Sequence, residues 1–233
     1  MLPLADLHSQ LDEALNINAS QSVFSTLYYT DLINAQRELW IRNEYNKNRS
    51  IDPNLQQVLP CIELELVNPT TCCVQLPNAC KILRTKLPIP NTIEFNNSKG
   101  ITSVGPVDIT SNRFSFIDYA RVPYIGSGRT TSKSIYAFLY ERYIYIVSKD
   151  PFVWNMRWIS IRGIFTDPTS LGQFFNCENK PCYSPNDVYP INLWMWEYIK
   201  GVIVPGLLQK QGIPLDDSND DKDNKADDTG GIK

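Results

Sequence analysis

Residues 134–148 read SIYAFLYERYIYIVS, and this stretch decides the class of the fold. Two runs of aromatic and β-branched residues, Ser134–Tyr140 and Tyr143–Ser148, flank the polar pair Glu141-Arg142. Such runs favour pleated strands, and a two-residue connection between them is the signature of an antiparallel hairpin. Toward the N-terminus, CIELELV at 61–67 sets Ile62, Leu64 and Leu66 against Glu63 and Glu65, the alternation of a half-buried strand. Further strands are expected over Cys80–Lys86, Thr102–Val107, Phe114–Tyr119 and Trp158–Phe165. Pro88, Pro90, Gly100, Gly105-Pro106, Pro151 and Pro168 punctuate them. This density of strands and turns predicts an antiparallel sandwich or small barrel rather than βαβ units.

On both flanks the period becomes helical. Leu4, Leu7, Leu11 and Leu15 form one stripe, with Pro3 where a helix start tolerates proline. A second helix is expected over Thr30–Lys47, capped by Thr30 or Ser25. Its inner side is read as Leu32, Ala35, Leu39 and Asn43, with Ile33, Gln36 and Trp40 beside it. Arg37, Arg42, Glu44 and Lys47 are assigned to its outer face. Asp52-Pro53 is expected to open a short third helix ending at Pro60. Late in the chain, Ser184-Pro185 or Asp187 is expected to start an apolar helix reaching about Lys210, which Pro205 should kink or end.

The expected architecture is therefore α+β. An N-terminal helical region (1–60) is joined by a C-terminal helix (185–215), with a β-rich insertion (61–184) between them and an acidic disordered tail (216–233). With 42% hydrophobic and 20% charged residues, the 233-residue chain has ordinary globular composition, which excludes collagen, coiled coil and global disorder. Ile191–Leu208 is the most apolar stretch, but Glu197, Lys200 and Pro205 interrupt it, so no transmembrane helix is expected. The N-terminus lacks the basic region and apolar core of a signal peptide. The tail DDSNDDKDNKADDTGGIK holds seven Asp and three Lys. Removing these from the chain's 25 acidic and 22 basic residues leaves 18 and 19, a nearly neutral body without the basic stripe of a nucleic-acid binder.

Motifs for chemistry are sparse. The sole histidine, His8, sits beside the N-terminal leucine stripe, where a boundary role is the simpler reading. One histidine excludes HExxH and every multi-histidine metal site. Glu63 and Glu65 share one side of a strand, which a solvated face explains. GSGRTTSKS at 126–134 lacks the phosphate-loop ending and precedes a strand, so a hairpin loop is expected. The six cysteines (Cys61, Cys72, Cys73, Cys80, Cys177 and Cys182) admit three readings. They are free thiols, a zinc site from Cys73/Cys80 and Cys177/Cys182, or one disulfide across the ENKP loop from Cys177 to Cys182. Tyr136, Phe138 and Tyr140 share one strand face and Tyr143 and Tyr145 another, suited either to cross-strand packing or to stacking on a ligand. In the late helix Trp194, Trp196, Tyr198 and Ile203 are the candidate partner contacts.

Five stretches carry a resemblance. STLYYTDLINAQRELWIRNEYNKN at 25–48 resembles the helix opening of phage head–tail adaptor proteins. LPCIELELV, CKILRTKLPIPNTI, ITSVGPVDIT and IRGIFTDP are similar to the small structural protein encoded near the portal in crAss-like and related short-tailed bacteriophages. The similarity spans about residues 23–205. It implies a virion structural protein at the head–tail junction, assembled in the host cytoplasm as a homo-oligomeric ring, commonly a dodecamer. Its implied partners are the portal protein and other tail ring proteins. DNA would pass through the channel without specific binding, with no membrane, cofactor or enzymatic activity involved. A carbohydrate- or receptor-binding virion module is the alternative, in which the tyrosine-lined strands would face solvent.

Overall fold

The computed structural model describes residues 2–15, 24–48, 50–68, 81–96, 98–108, 110–125, 134–148 and 150–210. Cys72, Cys73, Cys80, most of the GSGRTTSKS loop and the acidic tail lie outside them.

The leucine stripe folds as helix α1, Leu4–Ala14, with Pro3 in extended geometry just before it and Leu7, Leu11 and Leu15 buried. Helix α2, Thr26–Asn48, is longer than expected and turned about its axis relative to the predicted face. Its buried residues are Tyr29, Ile33, Asn34, Arg37 and Ile41, spaced by one helical turn apart from Asn34. Ala35, Leu39 and Asn43, assigned to the inside, are exposed, and Arg37, assigned to the outside, is fully buried. Apolar residues surround this helix almost evenly, so hydrophobic period alone selects no face.

The expected third helix is only a 3-10 turn, Pro53–Leu55, where the Asp52 carboxylate accepts the Asn54 N–H at 2.9 Å. Strand β1 follows at Gln57–Val67, beginning before Pro60 rather than after it. The strand accommodates Pro60 because its register with a partner shifts between Leu59 and Ile62, and a bulge has no need of the missing N–H.

The remaining strands are β2 (Ile82–Thr85), β3 (Glu94–Phe95), β4 (Ser98–Lys99), β5 (Ile101–Pro106), β6 (Ser115–Phe116), β7 (Tyr136–Tyr140), β8 (Tyr143–Val147) and β9 (Trp158–Gly163). β3 and β4 pair alone as a small ribbon. The other seven form one sheet in the order β5-β9-β1-β2-β8-β7-β6. Every neighbour pairs antiparallel except β6 and β7, which are parallel, so the sheet is mixed rather than wholly antiparallel. Between its edges the Phe114 N–H, just before β6, donates to the Val104 carbonyl of β5 at 2.8 Å, bending the sheet into a nearly closed barrel. Glu141 and Arg142 join β7 to β8 with φ of 47° and 67°, the left-handed pair that a tight hairpin turn requires. Past β6, the predicted strand gives way to a 3-10 segment, Tyr119–Tyr124, which folds over the β7–β8 face.

Helix α3 spans Leu193–Lys210 and packs on α2 and α1. It starts later than the sequence suggested. Asp187 caps no helix; its carboxylate accepts the Ser184 N–H at 2.7 Å and closes a turn. Val188 bridges to Pro3, and Tyr189 donates its N–H to the Leu2 carbonyl at 3.0 Å. Pro205 does not end the helix, which runs one further turn with Gly201 and Gly206 facing open space.

Candidate interaction surfaces

Where the helices meet the barrel, the fully buried Arg37 reaches out to three backbone carbonyls. Nε donates to Pro190 at 2.9 Å, Nη1 to Phe165 at 2.9 Å and Nη2 to Leu55 at 3.4 Å. Each carbonyl belongs to a different connection, so one side chain ties α2 to the segments before β1, after β9 and before α3. Burial pulls the guanidinium's pKa down, opposed by Tyr189, Glu38 and Asp167, yet the group stays charged at neutral pH. Beside it the buried Tyr189 hydroxyl donates to Asn34 Oδ1, and Asn34 Nδ2 donates to Asp167 at 3.2 Å. Burial pushes Tyr189 well above the usual phenol range. No motif announced this network; an arginine at a one-turn spacing from Ile33 and Ile41 was its only signal.

The cysteine readings resolve differently from the expectation. Cys61 in the β1 bulge is joined to Cys177 by a disulfide, with Cα atoms 5.3 Å apart, and Cys182 is a free thiol. A Cys177–Cys182 bond is therefore ruled out, and Cys177 has no thiolate left for a zinc set. The Cys182 N–H donates to the Phe174 carbonyl at 2.7 Å, and Asn176 and Lys180 pair across the turn. That hairpin holds Cys182 at its base and carries Cys177 toward β1. Burial pushes the Cys182 thiol up to about 11. Among the described residues no group of three or more His, Cys, Asp or Glu could hold a metal ion.

His8 Nε2 lies 3.1 Å from the Thr30 hydroxyl, and burial lowers its pKa against the opposing pull of Asp12. Glu63 and Glu65 do not act as a pair. Glu63 binds Lys86 at 2.7 Å and Glu65 binds Arg84 at 2.7 Å. The tyrosine-lined face is filled from within. Phe138 is fully buried, stacked on Tyr145 at 5.2 Å and covered by Tyr119 at 5.7 Å, while Tyr119 also lies over Tyr140. Phe138 is thus packed inside the protein, not presented as a ligand platform.

The four late-helix candidates divide by helical phase. Trp196 is fully buried and donates from Nε1 to Gln10 of α1 at 2.6 Å, and Ile203 is buried on the same side. Trp194 and Tyr198, 58% and 60% exposed, project outward, with Trp194 edge-on to Trp40 at 4.5 Å. A second apolar surface lies on the barrel wall. There Trp158, Phe175 and Leu87, each about half-exposed, border an open groove of about 500 Å³ whose wall includes the disulfide. The described residues thus present two exposed apolar faces, suited to binding other protein surfaces.

The model of the phage tail ring protein 2 family matches residues 11–229. The chain belongs to that family, whose members are structural components of crAss-like phage tails, and is a virion tail ring protein. No curated protein matches it. No helix among the described residues is long and apolar enough to cross a membrane.

Proposed function

We propose that this ring protein is a head–tail adaptor: it binds the portal at the capsid vertex, extends the DNA channel and forms the platform on which further tail rings assemble. The observation that carries the reading is the family match along nearly the whole chain. In this reading the subunits close into a dodecamer matched to the portal. Trp194 and Tyr198 make partner contacts, while Trp196 and Ile203 support them from beneath. The 1–60 and 185–215 segments form one helical body and 61–184 a second, barrel body. The acidic tail at 216–233 engages a basic groove on the portal. A body close to neutral suits a channel wall that lets DNA slide without gripping it.

Electron microscopy of the purified chain, alone and mixed with the portal protein of the same phage, tests this. A ring stacked on the portal with matching symmetry is expected. No association across salt and pH would overturn the adaptor assignment and move the protein to a ring further down the tail.

A further inference from the structure

We propose that the outer face of α3 of one copy docks into the groove beside Phe175 and Trp158 of the next, and that this contact closes the ring. The proposal rests on the ring reading and adds to it the two surfaces that meet.

Helix α3 is apolar on both sides. Met195, Trp196, Ile199 and Ile203 are buried against the bundle, while Trp194, Tyr198 and Val202 form an exposed stripe at one-turn spacing. A helix at the edge of a lone globule carries a polar outer face; one that is hydrophobic all round is covered on both sides. Before its last turn α3 has only two charged residues, Glu197 and Lys200, which bond each other at 2.8 Å.

The groove is the concave counterpart. Trp158 of β9 and Phe175 of the disulfide-tethered hairpin are 51% and 52% exposed, and Ile62 and Phe174 help line it. Its rim also carries one acid and one base, Glu63 and Lys86, bonded at 2.7 Å. Neither face has net charge, so a second copy meets no repulsion, and the two ion pairs can exchange partners at the rim. With aromatic side chains of ~150–250 Å² about half-exposed, each face offers roughly 300–400 Å² of apolar area. That is within the roughly 300–600 Å² of the largest apolar patch on a monomer, a patch that is often functional, and two such faces supply the dry centre of a standard interface. No residue lines both surfaces. A closed ring needs that property, a heterologous contact in which different patches of identical subunits meet head to tail.

The test uses assembled tails or portal-templated rings built from equal parts of ¹⁴N- and ¹⁵N-labelled chain, with a photoreactive benzophenone amino acid in place of Tyr198. Mass spectrometry is expected to find mixed-isotope cross-links from position 198 to the peptide containing Phe174–Asn179. The same probe at Tyr124, which is 80% exposed on the barrel, should give at least a tenfold lower yield of that peptide. Equal yields would overturn the proposal as random proximity. Mixed-isotope cross-links elsewhere on a second copy would overturn this interface and leave the ring reading standing. Cross-links only to another tail protein, or none, would overturn it too. Microscopy of the same particles reports separately whether a ring exists.

Discussion

Arg37 on α2 donates from Nε to the carbonyl of Pro190, 153 residues further along the chain, at 2.9 Å. That bond and its two companions replace water at three buried carbonyls. A buried carbonyl left unpaired costs about 1–3 kcal/mol, so Arg37→Met, which keeps the bulk and removes all three donors, should destabilise the protein by about 3–5 kcal/mol. Arg37→Lys should recover little, because an ammonium is a point donor and cannot span three carbonyls held in a planar fork. Urea unfolding at neutral pH measures both variants; a loss under 1 kcal/mol in Arg37→Met would show that the carbonyls find other partners.

The Cys61–Cys177 disulfide closes a loop of 116 residues. In the chain-entropy account a loop of that size is stabilised by up to about 5 kcal/mol, and measured values more often fall near 2–4. Cys177→Ser should therefore lower the unfolding midpoint, and reductant should lower the wild type to the same value. Cys182 should not substitute for the lost partner, since its thiol, raised to about 11, is protonated at pH 7. A non-reducing peptide map should show the residue 61 and residue 177 peptides joined in the wild type and no new bridge in the variant.

The β block was the most legible part of the chain. Strands β7 and β8 and their two-residue turn fall where the aromatic runs and Glu141-Arg142 place them, because period two and a left-handed turn are both local properties. The leucine stripe of α1 was equally local. What sequence could not give was set by distant partners. The rotation of α2 depends on carbonyls that Arg37 meets only after the barrel has formed. The late start of α3 depends on Val188 and Tyr189 pairing with Pro3 and Leu2. The parallel pairing of β6 and the Cys61–Cys177 bond likewise join segments whose proximity no local pattern encodes. In the late helix, Trp194 and Trp196 look alike in sequence; only the direction of the bundle separates a surface ring from a core ring.

His8 makes α1 packing sensitive to acid. Burial lowers its pKa from the ordinary 6.5, with Asp12, Tyr29 and Thr30 as neighbours. Between the folded value and 6.5 the unfolded chain binds more protons, so stability rises with pH there. His8 thus contributes fully above pH 6.5, and its contribution is lost as pH falls toward the folded value. His8→Gln should flatten this part of the stability profile and leave the value at pH 8 within about 0.5 kcal/mol. A profile identical to wild type would assign the acid sensitivity to carboxylates instead.

Phe138 provides a test of the receptor-binding alternative. Its ring is buried between Tyr145 and Tyr119, so Phe138→Ala should cost about 3–5 kcal/mol through loss of contacts and the cavity left behind. Tyr136→Ala and Tyr140→Ala, at half-buried positions, should cost less. Glycan-array binding by the wild type that Tyr136→Ala abolishes without a stability change would restore the alternative.

Trp194 and Trp196 separate stability from assembly within one helical turn. Trp196→Ala empties a fully buried site and removes the hydrogen bond to Gln10, so a loss of about 3–5 kcal/mol is expected in the isolated chain. Trp194→Ala removes a largely exposed ring and one edge-on contact with Trp40, worth about 1 kcal/mol or less. The order reverses for ring formation. Trp194 lies on the proposed contact face, where truncating a central aromatic typically costs at least about 2 kcal/mol, a roughly thirtyfold loss per interface. A ring multiplies that loss over every joint, so Trp194→Ala should fold normally and fail to appear in portal-templated rings. Conservative Trp196→Phe should keep most of the packing, fold with a modest loss and still assemble. Chemical unfolding of the isolated chains and particle counts by negative-stain microscopy read the two effects independently. If Trp194→Ala assembled as well as wild type, the outer face of α3 would have no part in the ring.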